Sequence, residues 1–144
     1  MTPPPPGSVI RYAYLWADED ELGQEEGRKD RPALVLAVAI HVRGDESRVL
    51  ALAVTHTPPA HPDEAVELPG DIKSQIGLDA DASWVNTAEA NEFVWPGPDI
   101  RPVPGRSPPT VVYGRVPRGF LVRVVKSYSA NRLGQRTRIV ARTT

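Results

Sequence analysis

Two runs, "ALVLAVAI" (Ala33 to Ile40) and "RVLALAVT" (Arg48 to Thr55), stand a few residues apart and are built almost wholly from Ala, Val, Leu and Ile. A continuous apolar run of this length suits a strand buried on both faces rather than one half open to water. With "RGDES" as the turn between them, the two runs predict a β-hairpin. The chain is therefore expected to be mainly β.

Other segments agree. In "SVIRYAYLW" (Ser8 to Trp16), Ile10, Tyr12, Tyr14 and Trp16 fall on one face, and the run is rich in aromatic residues. "ADEDELGQEEGRKD" is a polar loop too charged to pack, "EAVELPG" (Glu64 to Gly70) alternates again, and "SWVNT" (Ser83 to Thr87) reads as a short strand. Between Pro96 and Pro109 six of fourteen residues are proline, which excludes regular helix and central strand. That segment reads as a surface connection pinned by Trp95 and Ile100, with a polyproline ligand as the competing reading. Pro117 then stands where a first-turn proline would. Phe120, Leu121, Val124, Val125 and Tyr128 recur at helical spacing, leaving Arg118, Arg123 and Lys126 on the outer side. "NRLGQRTRIVARTT" is either a basic tail or an added strand in "TRIVART". The expected architecture is a small β-barrel with a C-terminal helix. Residues 1–6 form a Pro-rich tail, residues 7–130 one domain, and residues 131–144 the tail or strand.

At 144 residues the chain can build a core without disulfides or metal. It has no Cys, which removes thiol catalysis and Cys-based zinc sites and fits a reducing compartment. No apolar run approaches the roughly 18 residues that span a bilayer, and Met1 to Pro6 lack the features of a secretory signal, so a cytoplasmic location without membrane contact is expected. The net charge of −1 conceals an asymmetry. Residues 1–100 carry 7 Lys/Arg and 18 Asp/Glu, whereas residues 101–144 carry 10 Lys/Arg and no acid. Such a basic end meets an acidic partner or a phosphate backbone, or folds over the chain's own acidic surface.

The seam between charge and apolar run is Arg31-Pro32. A following Pro holds Arg31 extended and removes a backbone donor, so this is a strand entrance at a rim. Its guanidinium offers phosphate a planar fork of donors. The alternative is that Arg31 closes the loop by pairing with Asp30 or Glu26. At the far end of the second run, the Thr55 hydroxyl emerges beside His56 and Thr57. It is placed either to stabilise a phosphate's charge or simply to form a turn. His56, His61 and Asp63 match no familiar metal spacing, so neither metal nor cofactor is expected.

"GSVIRYAY", "GQEEGRKDRPALVL", "LALAVTHTPP" and "AVELP", in this order, resemble the MazF/PemK family of toxin ribonucleases from bacterial toxin–antitoxin systems. The resemblance runs with useful specificity from about Gly7 to Pro69 and more loosely to "YGRVPRGFLVRVV". It implies a homodimeric SH3-like barrel that cleaves single-stranded RNA without metal. The ribose 2′-hydroxyl attacks the adjacent phosphate and leaves 2′,3′-cyclic phosphate and 5′-hydroxyl ends. Arg31 matches the family's Arg-Pro arginine, general acid and phosphate clamp, and Thr55 the threonine that stabilises the same charge. Either Glu25 or Glu26 matches the upstream acid, and His56 is a further candidate for proton transfer. Arg28, Lys29, Thr57 and Trp84 are candidate RNA contacts. For Trp84, Phe93 and Trp95, packing in the core or at a dimer interface competes with base stacking. A cognate antitoxin with an acidic segment is the implied protein partner. A non-catalytic SH3-like barrel that binds protein or RNA is the reading from a different class.

Overall fold

The structure, a computed structural model, describes residues 2–17, 30–40, 46–134 and 137–142. The two apolar runs form an antiparallel pair, β2 (Arg31–Ile40) and β3 (Ser47–Thr55), in the register Ala33↔Ala53 and Leu34↔Leu52. Most of the turn between them, residues 41–45, lies outside the described residues. Successive side chains of a strand point to opposite faces. Leu34, Leu36, Leu52 and Val54 accordingly enter one core cluster, and Ala33, Val35, Val49, Ala51 and Ala53 enter another. A register shift between Val35 and Ala37 turns Val38 towards the second cluster, where strict alternation would have sent it after Leu36 into the first.

The edge of β3 away from β2 is shared. Ser47 to Ala51 pair with β6 (Glu89–Trp95), whereas Val54 and Thr55 pair with β5 (Ser83–Asn86). One strand handing its edge from one neighbour to the next bends the sheet. β4 (Ala65–Leu68) extends it beyond β5, and β1 (Ser8–Tyr12) and β7 (Val112–Arg115) extend it beyond β2. β8 (Arg138–Ala141) runs parallel to β6. The result is a curled, largely antiparallel half-barrel.

Two helices complete the described structure, α1 (Gly70–Ile76) and α2 (Arg118–Leu133). α2 begins after Pro117 and lays Phe120, Val124 and Tyr128 on the first cluster, with Leu121 half-buried. Val125 departs from expectation and is 40% exposed, because it lies about 100° around the helix from Val124. The helix also runs on to Leu133. Its Asn131 amide is buried and donates to the carbonyls of Asp63 (3.0 Å) and Thr87 (3.1 Å). Arg118, Arg123 and Lys126 are exposed.

The sequence reading omitted α1, β6 and β7, although signals for them exist. In α1, Ile72 and Ile76 stand one turn apart, Pro69 caps the start, and Gly77 ends the helix at φ 76°, a left-handed conformation that glycine adopts freely. β7 crosses α1 so closely that a Cβ on Gly114 would lie 2.7 Å from Ile76 Cγ2.

The second cluster is aromatic. Tyr12 stacks on Phe93 at 4.6 Å between centroids, and Tyr14 meets Trp16 edge-on at 5.0 Å. Burial pushes the Tyr12 and Tyr14 phenols above their usual range, so both stay neutral. Ile10, Tyr12, Tyr14 and Trp16 do share one face, but β1 ends at Tyr12. Beyond it the backbone is held by other groups: the Ala13 N–H donates to the Asp99 carbonyl, and the Leu15 N–H to Asn91 Oδ1, both at 2.9 Å. Both ends of the described chain are tied in. Pro4 is buried, and Arg115 Nε donates to the Pro6 carbonyl at 3.1 Å. Arg142 is inside the protein. Its Nη2 lies 3.0 Å from Asp99 Oδ2, and its Nη1 donates to Tyr12 Oη (3.2 Å), the Ala13 carbonyl (2.9 Å) and Asn91 Oδ1 (3.1 Å). Among the described residues no helix is long and apolar enough to cross a membrane.

Removing Arg142 alone takes from the buried Asp99 carboxylate the guanidinium that lies 3.0 Å from it. Arg142→Ala is expected to lower the unfolding free energy by about 3–5 kcal/mol in urea denaturation. The double variant Arg142→Ala/Asp99→Ala should recover part of that loss.

Candidate functional site

The register that sets Ala33 against Ala53 carries the first residue of β2 and the last of β3 to the same end of the hairpin. A cleft of about 810 Å³ opens there. Arg31, Thr55, His56 and Thr57 all line it, together with Trp16, Asp30, Glu64 and Asp79. Four of the side chains singled out in the sequence thus meet in one place. Trp84 sits opposite Thr55 in the β3–β5 pairing but is not part of the lining. Phe93 and Trp95 are buried in the aromatic cluster, which makes them core residues. Glu25, Glu26, Arg28 and Lys29 lie outside the described residues.

The guanidinium of Arg31 lies 5.2 Å from the centroid of Trp16, a cation–π contact at the end of the aromatic row that starts in the core. The neighbouring carboxylate, Asp30, is met by Arg11 Nε and Arg101 Nε, each at 3.6 Å. Thr55 is a turn former, since its Oγ1 accepts the Thr57 N–H at 3.1 Å. That bond uses a lone pair and leaves the hydroxyl proton free to donate into the cleft. Glu64 ends a 3-10 turn (Pro62–Glu64), and its carboxylate has no hydrogen bond or ion pair among the described residues.

His56 is the visible end of a network that extends into the core. Its Nε2 is 3.0 Å from Asp79 Oδ2, and its Nδ1 is 3.0 Å from the Ala82 carbonyl and 3.1 Å from Ser83 Oγ. Behind it lies Lys73, with 3% of its surface exposed. Its ammonium donates to Asp79 Oδ1 (3.0 Å), Ser83 Oγ (2.7 Å) and the Asp81 carbonyl. A buried ammonium needs a counter-charge and acceptors for its protons, and this one has both. Ser83 itself is 1% exposed and is not placed to attack a substrate.

His56, Asp79 and Asp81 are the group of potential metal ligands among the described residues, with ligand atoms within 4.8 Å of one another. Here the chain supplies its own cation, because the Lys73 ammonium already contacts Asp79 and the Asp81 backbone. Sequence reasoning missed Lys73, Asp79 and Ser83. Recognising α1 would have exposed the signal, since Lys73 lies three residues before Ile76 and so shares its buried face.

No protein-family model matches the chain, and no curated protein matches it.

For Asp79, partial burial opposes ionisation. The Lys73 hydrogen bond, the charges of His56 and Lys73, and the Asp81 N–H outweigh it and hold the carboxyl below its usual range. A carboxyl whose folded value is depressed stabilises the fold above its unfolded value, and that stabilisation is lost as the pH falls through the folded value. The stability difference between wild type and Asp79→Asn, measured by urea denaturation, should be fully present at about pH 5. It should shrink progressively below about pH 4.

Proposed function

We propose that the cleft binds single-stranded RNA and cleaves it, the protein acting as a MazF/PemK-like toxin endoribonuclease on an SH3-like barrel. The observation that carries this reading is the convergence of Arg31, Thr55, His56 and Thr57 on one cleft at the hairpin end. In the reaction the 2′-hydroxyl oxygen bonds to phosphorus while the bond to the 5′-oxygen breaks. Negative charge grows on the two non-bridging oxygens. The fork of Arg31 clamps them, and the Thr55 hydroxyl donates to the same charge. A carboxylate takes the 2′-hydroxyl proton. Glu64 is the cleft carboxylate best placed, since it has no partner among the described residues, and Glu25 and Glu26 are the alternatives that the resemblance supplies. The leaving 5′-oxygen takes its proton from Arg31, the family's general acid. On this reading the protein is a cytoplasmic homodimer, and its antitoxin's acidic segment competes with RNA for the cleft.

One observation favours a non-catalytic binding module instead. Asp30, Glu64 and Asp79 all face the cleft, whereas an RNA groove is ordinarily basic. The test that separates the two readings is cleavage of a long unstructured RNA in EDTA, with the product ends identified. Wild type should leave cyclic-phosphate ends, and Arg31→Ala and Thr55→Ala should each slow cleavage by about a hundredfold or more. RNA left intact across varied sequences would make the protein a binding module.

A further inference from the structure

Both ring nitrogens of His56 are bonded within the protein, and their partners allow two complete arrangements. With the ring neutral, Nε2–H donates to Asp79 Oδ2 at 3.0 Å and Nδ1 accepts the Ser83 O–H at 3.1 Å. With the ring protonated, Nδ1–H donates to the Ala82 carbonyl at 3.0 Å, and the Ser83 O–H turns to the Asp81 carbonyl at 3.2 Å. In both, Lys73 Nζ donates to Ser83 Oγ at 2.7 Å, so the serine hydroxyl has a single proton to direct and two places to send it. Only a proton and a hydroxyl rotation separate the two states.

The His56 side chain is 54% exposed and lines the cleft, so its charge is felt there. The charged groups around it are Asp79 and Asp81 from the loop after α1, Lys73 from α1, Asp30 and Arg31 at the entrance to β2, and Glu64 from the 3-10 turn. Carboxylates ordinarily titrate below about pH 5 and Lys and Arg above about pH 10, whereas an imidazole titrates between. His56 supplies the imidazole of the cleft lining.

We infer that His56 is a proton-gated cation of the cleft, with Ser83 as its rotating hydroxyl and Lys73–Asp79 as its fixed frame, so that the cleft holds a phosphate group more tightly as the pH falls. Lys73 and Ser83 are positioning residues in this scheme, since they act through the ring. The ligand's identity as a phosphodiester rests on the RNA reading above. The gating itself does not.

The experiment uses the full chain and two probes, a single-stranded RNA oligonucleotide and inorganic phosphate. Histidine imidazole resonances, assigned with His56→Gln, are followed from about pH 5.5 to 8. In Ser83→Ala the neutral ring has lost its donor and should keep its proton to higher pH than in wild type. In Asp79→Asn the charged ring has lost its carboxylate and should give the proton up at lower pH. Wild type should bind the RNA about threefold more tightly at the acid end than at the alkaline end, as expected for one exposed charge, and His56→Gln should bind it independently of pH. Inorganic phosphate itself loses a proton in this range, so its affinity is read as the ratio of wild type to His56→Gln at each pH, which should fall about threefold from the acid to the alkaline end. Identical ring titrations in all three proteins would overturn the switch. Wild-type RNA affinity that is flat with pH, together with a phosphate affinity ratio that does not change with pH, would overturn the gating. Gated phosphate binding with RNA neither bound nor cut would retain this inference and sink the RNA reading. RNA cleavage with an RNA affinity and a phosphate affinity ratio that are both independent of pH would do the reverse.

Discussion

The hairpin of β2 and β3 has no solvent face over most of its length, and the rest of the fold follows from that requirement. Leu34, Leu52 and Val54 on one side and Ala33, Val35, Ala51 and Ala53 on the other must all be covered. One side is met by α2, α1 and the β4–β5 pair, which bring Phe120, Val124, Ile76, Val66 and Val85. The other is met by aromatic side chains from β1, β6 and the segment after β1. An antiparallel sheet commonly leaves one face in water and alternates in sequence. Covering both faces is what turns alternation into a continuous apolar run.

This explains why the hairpin was legible in the sequence and other elements were not. Ala33 to Ile40 has no polar residue to blur its boundaries, whereas β6, "EANEFVW", carries Glu92 and Asn91 within a strand. Asn91 is fully buried because it serves as a bracket. Its Oδ1 accepts from Leu15 and Arg142, and its Nδ2 donates to the Leu15 carbonyl. A polar residue buried for its hydrogen bonds looks like a surface residue until its distant partners are known. The same holds for Lys73, whose partners lie six to ten residues further along the chain, in a loop and a strand. Arg31, Thr55 and His56 were legible for the opposite reason. They sit where apolar runs stop, and an antiparallel pair brings such endpoints together.

Charge counting along the chain has a similar limit. The contrast between an acidic first hundred residues and a basic remainder is answered in part inside the molecule, where Arg101 meets Asp30 and Arg142 meets Asp99. The pairing of Arg142 is wholly internal and offers nothing to a partner. What the basic end leaves outside includes the exposed side of α2, with Arg118, Arg123, Lys126 and Arg132 and no acidic residue on the helix. A segment's net charge therefore overstates its outward field by whatever the fold neutralises.

The cleft is built differently from either region, and the difference bears on how it would work. Its cation, Arg31, is seated on Trp16 at the end of a row of packed rings, which ties its position to the core. Another charge of its lining, Asp79, is fixed by a lysine that is itself buried and saturated with acceptors. Each of these charges is anchored by a packed neighbour and so loses little freedom when a ligand arrives. Preorganised charge of this kind costs no rearrangement at the moment of binding. His56 lines the same cleft, and its ring keeps the Asp79 bond in either protonation state while Nδ1 exchanges Ser83 for Ala82 as its partner. The site can therefore alter its net charge while keeping its shape, which loose surface side chains cannot do, because their positions follow their charge.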